Sequence, residues 1–285
     1  MEPEIDRNPA GNPALRLWYA YPDDLADRTA AEACVALLND AERARAARFH
    51  FDRHRREYLA THALARTALS HAHPLLPQEW RYSVNAYGKP SPLPECRVRF
   101  NQSNSVELAV CLVSAPSAAG GTSSSLDPDR VPEVGVDVEA LSRAEEIVRL
   151  APDVFSPSER KQLDDLPAVS RPNRAVSLWT LKEAYIKARG VGLLLPLRAF
   201  SFLFGDAQKV WLEVEPGVDE DPARWRFSLL NHASHRIAMV VDAAVAGALQ
   251  VWEAHPLPTV LKRLPNAAGP WFPLSATEGQ APALR

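Results

Sequence analysis

Between Ser114 and Pro132 the chain runs Ser-Ala-Pro-Ser-Ala-Ala-Gly-Gly-Thr-Ser-Ser-Ser-Leu-Asp-Pro-Asp-Arg-Val-Pro, which carries too little apolar surface to order itself within a core. Whatever folds must therefore fold on either side of it. With 285 residues the chain can build one large domain or two small ones, and 46% hydrophobic with 24% charged residues is the composition of a soluble globular protein. The expected organisation is an N-terminal subdomain over 14–114, a flexible linker over 115–133, a C-terminal subdomain over 134–254 and a Pro- and Ala-rich tail over 255–285 that lies along the body, with Trp271 and Phe272 as its aromatics.

The first half opens with Leu15-Arg16-Leu17-Trp18-Tyr19-Ala20-Tyr21, apolar and aromatic as a strand requires. An Ala- and Arg-rich stretch from Glu32 to Ala72 reads as two helices, Pro74 and Pro77 end the helical pattern, and extended segments follow at 81–84, 97–101 and 106–113. The second half repeats the order. A strand at 134–139 precedes helices at 144–150, 157–165 and 171–189, and strands follow at 200–204, 209–214, 224–230, 236–241 and 248–253. No residue-level repeat accompanies this recurrence.

A formal net charge of −3 gives no global attraction to nucleic acid or to an anionic membrane. No long apolar run suits a membrane span, and the opening Met1-Glu2-Pro3-Glu4 lacks the pattern of a signal peptide, so a cytoplasmic location is expected. Cys34, Cys96 and Cys111 are widely spaced and have no metal-ligand pattern, which suits idle thiols. Charge is concentrated in one place: Arg43, Arg45, Arg48, Arg53, Arg55, Arg56 and Arg66 stand against Asp52 and Glu57 alone, with His50, His54 and His62 among them. Such a segment is either a solvated helix face or a surface for a polyanion.

Two segments carry chemistry. In Val134-Gly135-Val136-Asp137-Val138-Glu139, strand alternation puts the valines on one face and Gly135, Asp137 and Glu139 on the other. Carboxylates held that close repel unless a cation joins them, and an all-oxygen set favours magnesium, manganese or calcium over zinc. Gly135 would let a backbone or ligand approach. A lone Asp-x-Glu is more commonly the pattern of a solvated strand edge. The second segment, Leu178 to Arg189, is a helix stopped by Gly190 that presents Trp179, Glu183, Ile186 and Lys187 on one side. Alone, Glu183 and Lys187 form an ordinary helical ion pair.

In combination these segments resemble the Sfp-type 4′-phosphopantetheinyl transferases, of the holo-acyl-carrier-protein synthase superfamily. Gly135-Val136-Asp137-Val138-Glu139 and Trp179-Thr180-Leu181-Lys182-Glu183-Ala184-Tyr185-Ile186-Lys187 are similar to the two signatures of that family, and Phe155-Ser156-Pro157-Ser158-Glu159 lies between them as it does there. Upstream, Tyr87-Gly88-Lys89-Pro90 matches the family's Gly-Lys-Pro turn, and Phe100-Asn101-Gln102-Ser103-Asn104-Ser105 matches Phe-Asn-x-Ser-His-Ser, with Asn104 in place of the histidine. The resemblance spans residues 15 to 253.

That resemblance implies an α+β fold of two similar α/β subdomains related by a pseudo-two-fold, with coenzyme A as co-substrate in the cleft between them. Asp137, Glu139 and Glu183 would hold magnesium, with manganese as a substitute, and Glu183, Lys187 and Asp137 would be catalytic. Arg45, Arg48, Arg56, Lys89, Ser103, Asn104, Lys182 and Lys187 are the implied coenzyme A contacts, the three arginines as candidates for its 3′-phosphate. The family's His contacts coenzyme A phosphates, and an asparagine amide in its place still donates a hydrogen bond. Trp179 is expected to pack the helix, and Glu159 to orient a ligand or cap a helix. The implied partners are apo acyl or peptidyl carrier proteins, docking near the helix from Pro157 and the loop beyond Leu166, and the longer family form is expected to be a monomer. A non-catalytic module binding coenzyme A or carrier protein and another magnesium-dependent phosphotransferase are the competing readings.

Overall fold

The computed structural model describes residues 15–115, 132–205, 210–243, 249–255, 257–258 and 261–263. Strand β1 (Leu15–Ala20) is followed by helices α1 (Arg28–Leu37), α2 (Asp40–Ala46) and α3 (Asp52–Ala72). A hairpin of β2 (Arg81–Val84) and β3 (Pro90–Leu93) comes next, then β4 (Arg99–Ser105) and β5 (Leu108–Ser114). The second half has the same order: β6 (Val134–Ala140), α4 (Ala144–Val154), α5 (Pro157–Asp165), α6 (Arg171–Arg189), a hairpin of β7 (Phe200–Phe204) and β8 (Val210–Val214), then β9 (Trp225–His232) and β10 (His235–Asp242). Strand β5 pairs antiparallel with both β1 and β4, as β10 does with β6 and β9. The fold is α+β with one topology used twice.

Two features differ from the sequence reading. The 28–72 region holds three helices rather than two, because Asn39 caps α2: its side chain accepts from the Glu42 N–H while the Glu42 carboxylate accepts from the Asn39 N–H. Strand β11 (Leu249–Ala254), read as the last strand of the second half, pairs parallel with β1 and so belongs to the first sheet, whose order is β12-β11-β1-β5-β4. It covers an edge of β1 that would otherwise expose unpaired backbone groups. Strand β12 (Leu261–Arg263) pairs with β11. Residues 116–131 of the expected linker, and the tail from 264 onward with Trp271 and Phe272, lie outside the described residues.

Three apolar clusters define the layers. Trp18, Leu64, Ala68, Phe100, Cys111 and Val113 fill the space between α3 and the first sheet. Leu178, Leu181, Tyr185, Phe202, Phe227 and Val240 do the same beneath α6. The opposite faces of the sheets meet each other: Leu17, Tyr19, Val110 and Leu112 pack against Val136, Val138, Ile237 and Met239. The order is thus helices, sheet, sheet, helices, and strands with apolar residues on both faces are its consequence. Among the described residues no helix is long and apolar enough to cross a membrane.

Helix α6 ends at Gly190, whose φ of 64° is the left-handed cap and whose N–H donates to Ile186 O at 2.9 Å. It lies hard against β6, since a Cβ on Gly135 would fall 2.1 Å from Ala184 O and 2.4 Å from Ala188 N. The turn between β2 and β3 fastens the helix end to the first half: Asn85 Nδ2 donates to Gly190 O at 2.7 Å, and Lys89 Nζ to Ala188 O at 2.7 Å. Beneath α6, Lys182 and Glu159 form an ion pair at 2.8 Å with both side chains 0% exposed. Lys182 Nζ also donates to Leu197 O and Phe200 O, and Glu159 accepts from the N–H groups of Ser156 and Phe202, so neither charge is left unpaired.

Gly135→Ala is expected to cost roughly 3 kcal/mol, because the backbone atoms facing the new methyl cannot turn aside. A denaturation midpoint equal to wild type would contradict this packing. Lys182→Met should cost about 3–5 kcal/mol by stranding Glu159, and adding Glu159→Gln should recover part of it. Equal denaturation midpoints for the single and double variants would show that the pair is not the source of the loss.

Candidate active site

Strand β4 carries a polar residue at every second position on the side that meets β6. Asn101 Oδ1 accepts from the Val136 N–H at 2.9 Å, Ser103 Oγ donates to Asp137 Oδ1 at 2.8 Å, and Ser105 Oγ donates to Glu139 Oε2 at 3.0 Å while accepting from the Ala140 N–H. The two sheets are therefore joined along this seam by side chains, and Asp137 and Glu139 sit on it, 4% and 7% exposed. Across from them α6 brings Lys187, whose Nζ lies 2.6 Å from Asp137 Oδ1 and 2.9 Å from Ser103 Oγ. Glu139 receives both Arg143 Nη1, at 2.7 and 2.8 Å to its two oxygens, and Trp179 Nε1 at 2.9 Å. Trp179 thus packs the helix as expected and also holds a carboxylate.

Burial pushes the Asp137 carboxyl above its ordinary range, with Lys187 pulling it back and Glu139 adding to the rise. Glu183 is half-buried and has no hydrogen-bond partner among the described residues. Burial and the neighbouring Asp137 raise its carboxyl, Lys187 opposes them, and Glu139 adds a further push. Three carboxylates are thus within electrostatic reach of one another with one ammonium and one guanidinium against them.

Asp137, Glu139, Ser103, Asn104 and Lys187 line one cleft of about 640 Å³, together with Arg45, Tyr58, His62, Tyr82 and Gln102. The remaining expected coenzyme A contacts are elsewhere. Lys182 is 0% exposed, and its charge is consumed by Glu159 in the core. A helix places adjacent residues about 100° apart, so when Glu183 faces the seam Lys182 cannot. The Lys89 ammonium turns away from the cleft to Glu133 and the end of α6. Arg56 pairs with Asp23 at 3.2 Å, and Arg48 opens onto a neighbouring groove with Ala41, Ala44 and Phe49. Only Arg45, of the three arginines, lines the cleft. Glu159 does cap α5, through a reciprocal bond with Ser156.

Residues not assigned from the sequence also shape the site. Ser105 was legible in the period-2 stripe Asn101, Ser103, Ser105, whereas Arg143 lies beyond the strand end and had no periodic signal. His62 was visible as part of the basic segment without a role. It stacks on Tyr58, ring centroids 4.1 Å apart, and its Nδ1 is 3.2 Å from Glu42 Oε1. Burial alone would raise the Glu42 carboxyl, but the bonds from His62 and the Asn39 N–H and the charge of Arg66 hold it below its usual range.

Several atoms around the cleft are buried without a partner: Asp137 Oδ2, Tyr82 Oη and Gln102 Oε1. A buried polar atom without a partner costs about 1–3 kcal/mol, which a ligand at that place would remove. The acceptors Asp137 Oδ2 and Glu183 suit a magnesium ion, which characteristically takes one or two carboxylates and completes its shell with water and phosphate oxygens. No ready-made group of three metal-ligating side chains exists among the described residues, since Glu139 is engaged by Arg143, Trp179 and Ser105.

A family model described as the 4′-phosphopantetheinyl transferase superfamily matches residues 133–240, which include β6, α6 and the seam carboxylates. The 4′-phosphopantetheinyl transferase HetI of Nostoc sp. is 31% identical over 162 residues, 56% of this chain, and the match spans 62% of that protein's length. A 4′-phosphopantetheinyl transferase of Bacillus subtilis is 28% identical over 71% of this chain and 83% of its own. The phosphopantetheinyl transferase of Thraustochytrium sp. is 30% identical over 243 residues, 80% of this chain and 77% of that one. With the seam, the helix facing it and relatives matched over most of their length, the chain belongs to the 4′-phosphopantetheinyl transferase superfamily of enzymes.

Proposed function

We propose that this chain moves the 4′-phosphopantetheine group of coenzyme A onto a serine of an apo acyl or peptidyl carrier protein and releases 3′,5′-ADP. The observation that carries the reading is the contact of Lys187 with Asp137 and Ser103 in a cleft between the halves, with Glu183 unpartnered beside it. The serine oxygen attacks the phosphorus that bears the pantetheine arm, and the bond from that phosphorus to the oxygen of the departing ADP breaks. The serine proton passes to Glu183, whose carboxyl is raised above its ordinary range by burial and by Asp137 and is therefore a stronger base than a solvated glutamate. Lys187 leaves Asp137 for the oxygen on which charge develops, and stabilises or protonates it. Asp137 Oδ2 and Glu183 would hold magnesium or manganese, with Glu139 joining on release from Arg143. A bound ion supplies charge neutralisation on the pyrophosphate oxygens. Ser103, Asn104 and Arg45 contact coenzyme A phosphates. The carrier docks near α5 and the loop beyond Leu166.

Incubation with coenzyme A, magnesium and an apo carrier should add a phosphopantetheine to the carrier, read by mass spectrometry. Coenzyme A binding without any added mass on several carriers would leave the binding-module reading in its place. Asp137→Asn and Glu183→Gln should each lower turnover by roughly a hundredfold or more while unfolding like wild type. Wild-type turnover in either variant would refute the assignment. Asn104 is exposed on the cleft wall, so Asn104→His should lower the KM for coenzyme A by about threefold through a charge-assisted bond. An unchanged KM would place the phosphates away from that wall.

A further inference from the structure

The basic segment between Arg43 and Arg66 supplies the cleft with far less charge than its composition suggests. Arg43 pairs with Asp40, Arg53 with Glu57, Arg55 with Asp52, Arg56 with Asp23 and Arg66 with Glu42. What reaches the cleft from α2 and α3 is Arg45 and an imidazole, His62, with Tyr58 against both of them: 5.6 Å from its ring centroid to Arg45 Cζ and 4.1 Å to the His62 ring centroid.

His62 is built into place. Arg66, 0% exposed, donates to Glu42 Oε2 from Nε at 3.0 Å and Nη2 at 2.7 Å, and also to Pro77 O and Trp80 O. The Asn39 N–H donates to the same Glu42 oxygen at 2.9 Å. Glu42 is thereby immobilised with Oε1 left for His62 Nδ1. A carboxylate only accepts, so Nδ1 is the donor and Nε2 is the nitrogen available to the cleft. Among the described residues Nε2 has no partner.

We propose that His62, aligned by Glu42, binds the ribose 3′-phosphate of coenzyme A and makes the cleft select coenzyme A over its 3′-dephospho form. The inference rests on the coenzyme A reading above. The reacting pyrophosphate belongs with the residues of β6 and α6, namely Asp137, Glu183 and Lys187. A phosphate monoester is the remaining anionic group of the cofactor, and the α2–α3 wall offers it one guanidinium and one imidazole. Protonated on both nitrogens, His62 donates Nδ1–H to Glu42 and Nε2–H to a phosphate oxygen, a charge-assisted pair on each side of the ring.

Titration calorimetry with coenzyme A and with 3′-dephospho-coenzyme A, on wild type, His62→Ala and His62→Gln, tests this. Wild type is expected to bind coenzyme A the more tightly. His62→Ala should weaken coenzyme A by roughly tenfold and leave 3′-dephospho-coenzyme A within about twofold of wild type. His62→Gln keeps the size and one donor, and should fall between; it carries the test if the alanine variant unfolds. Unchanged coenzyme A affinity in both variants, or equal losses for the two ligands, would overturn the role of His62 while leaving the transferase reading intact. Wild type that binds neither ligand would overturn both.

Discussion

The approach of α6 to β6 at Gly135 is the constraint from which the site follows. With no side chain between them, Ala184 and Ala188 rest on the strand backbone, and every residue along that side of the helix is fixed in height above the strand. One turn of helix separates Glu183 from Lys187, and two residues of strand separate Asp137 from Glu139. Their close approach is therefore set by backbone packing rather than by the ion pairs. The pairs form because the backbones have already brought the charges together.

Once there, the charges govern the chemistry through their imbalance. Asp137 and Glu139 are nearly buried where the seam meets the cleft, so water screens them poorly, and Lys187 and Arg143 offset them. Glu183 has no such counter-ion of its own. Bringing a pyrophosphate beside these carboxylates would add negative charge to a place already short of positive charge. That is unfavourable unless a cation accompanies the ligand, or unless Lys187 changes partner from carboxylate to phosphate. Both adjustments answer the same condition, carboxylates held within electrostatic reach of one another.

Much of this geometry was legible in the sequence, and the reason is periodicity. The alternation in Val134 to Glu139 separated the inter-sheet face from the seam face, and the bounds of α6 with its Gly190 cap followed from helical pattern and stop signal. The stripe Asn101, Ser103, Ser105 was equally present. What local pattern does not encode is partnership across space. Lys182 and Lys89 carry the same charge as Lys187, yet one is consumed in the core by Glu159 and another between the halves by Glu133. Strand β11 reads like its neighbours in sequence but completes the other half's sheet. The arginines between Arg43 and Arg66 looked like a single patch because three of the acids that pair with them, Asp23, Asp40 and Glu42, stand before the segment in the chain.

The neutralisation of those arginines bears on specificity as well as affinity. An open field of guanidinium groups would attract any polyanion, whereas most of the basic segment here is bonded internally and leaves a few donors in fixed directions. Arg66 illustrates the exchange: fully buried, it gives up any contact with ligand and in return fixes Glu42, which fixes His62. A rigid donor loses little freedom when a phosphate arrives, so in the proposed coenzyme A site discrimination between anions resides in where these donors point rather than in how much positive charge the segment carries.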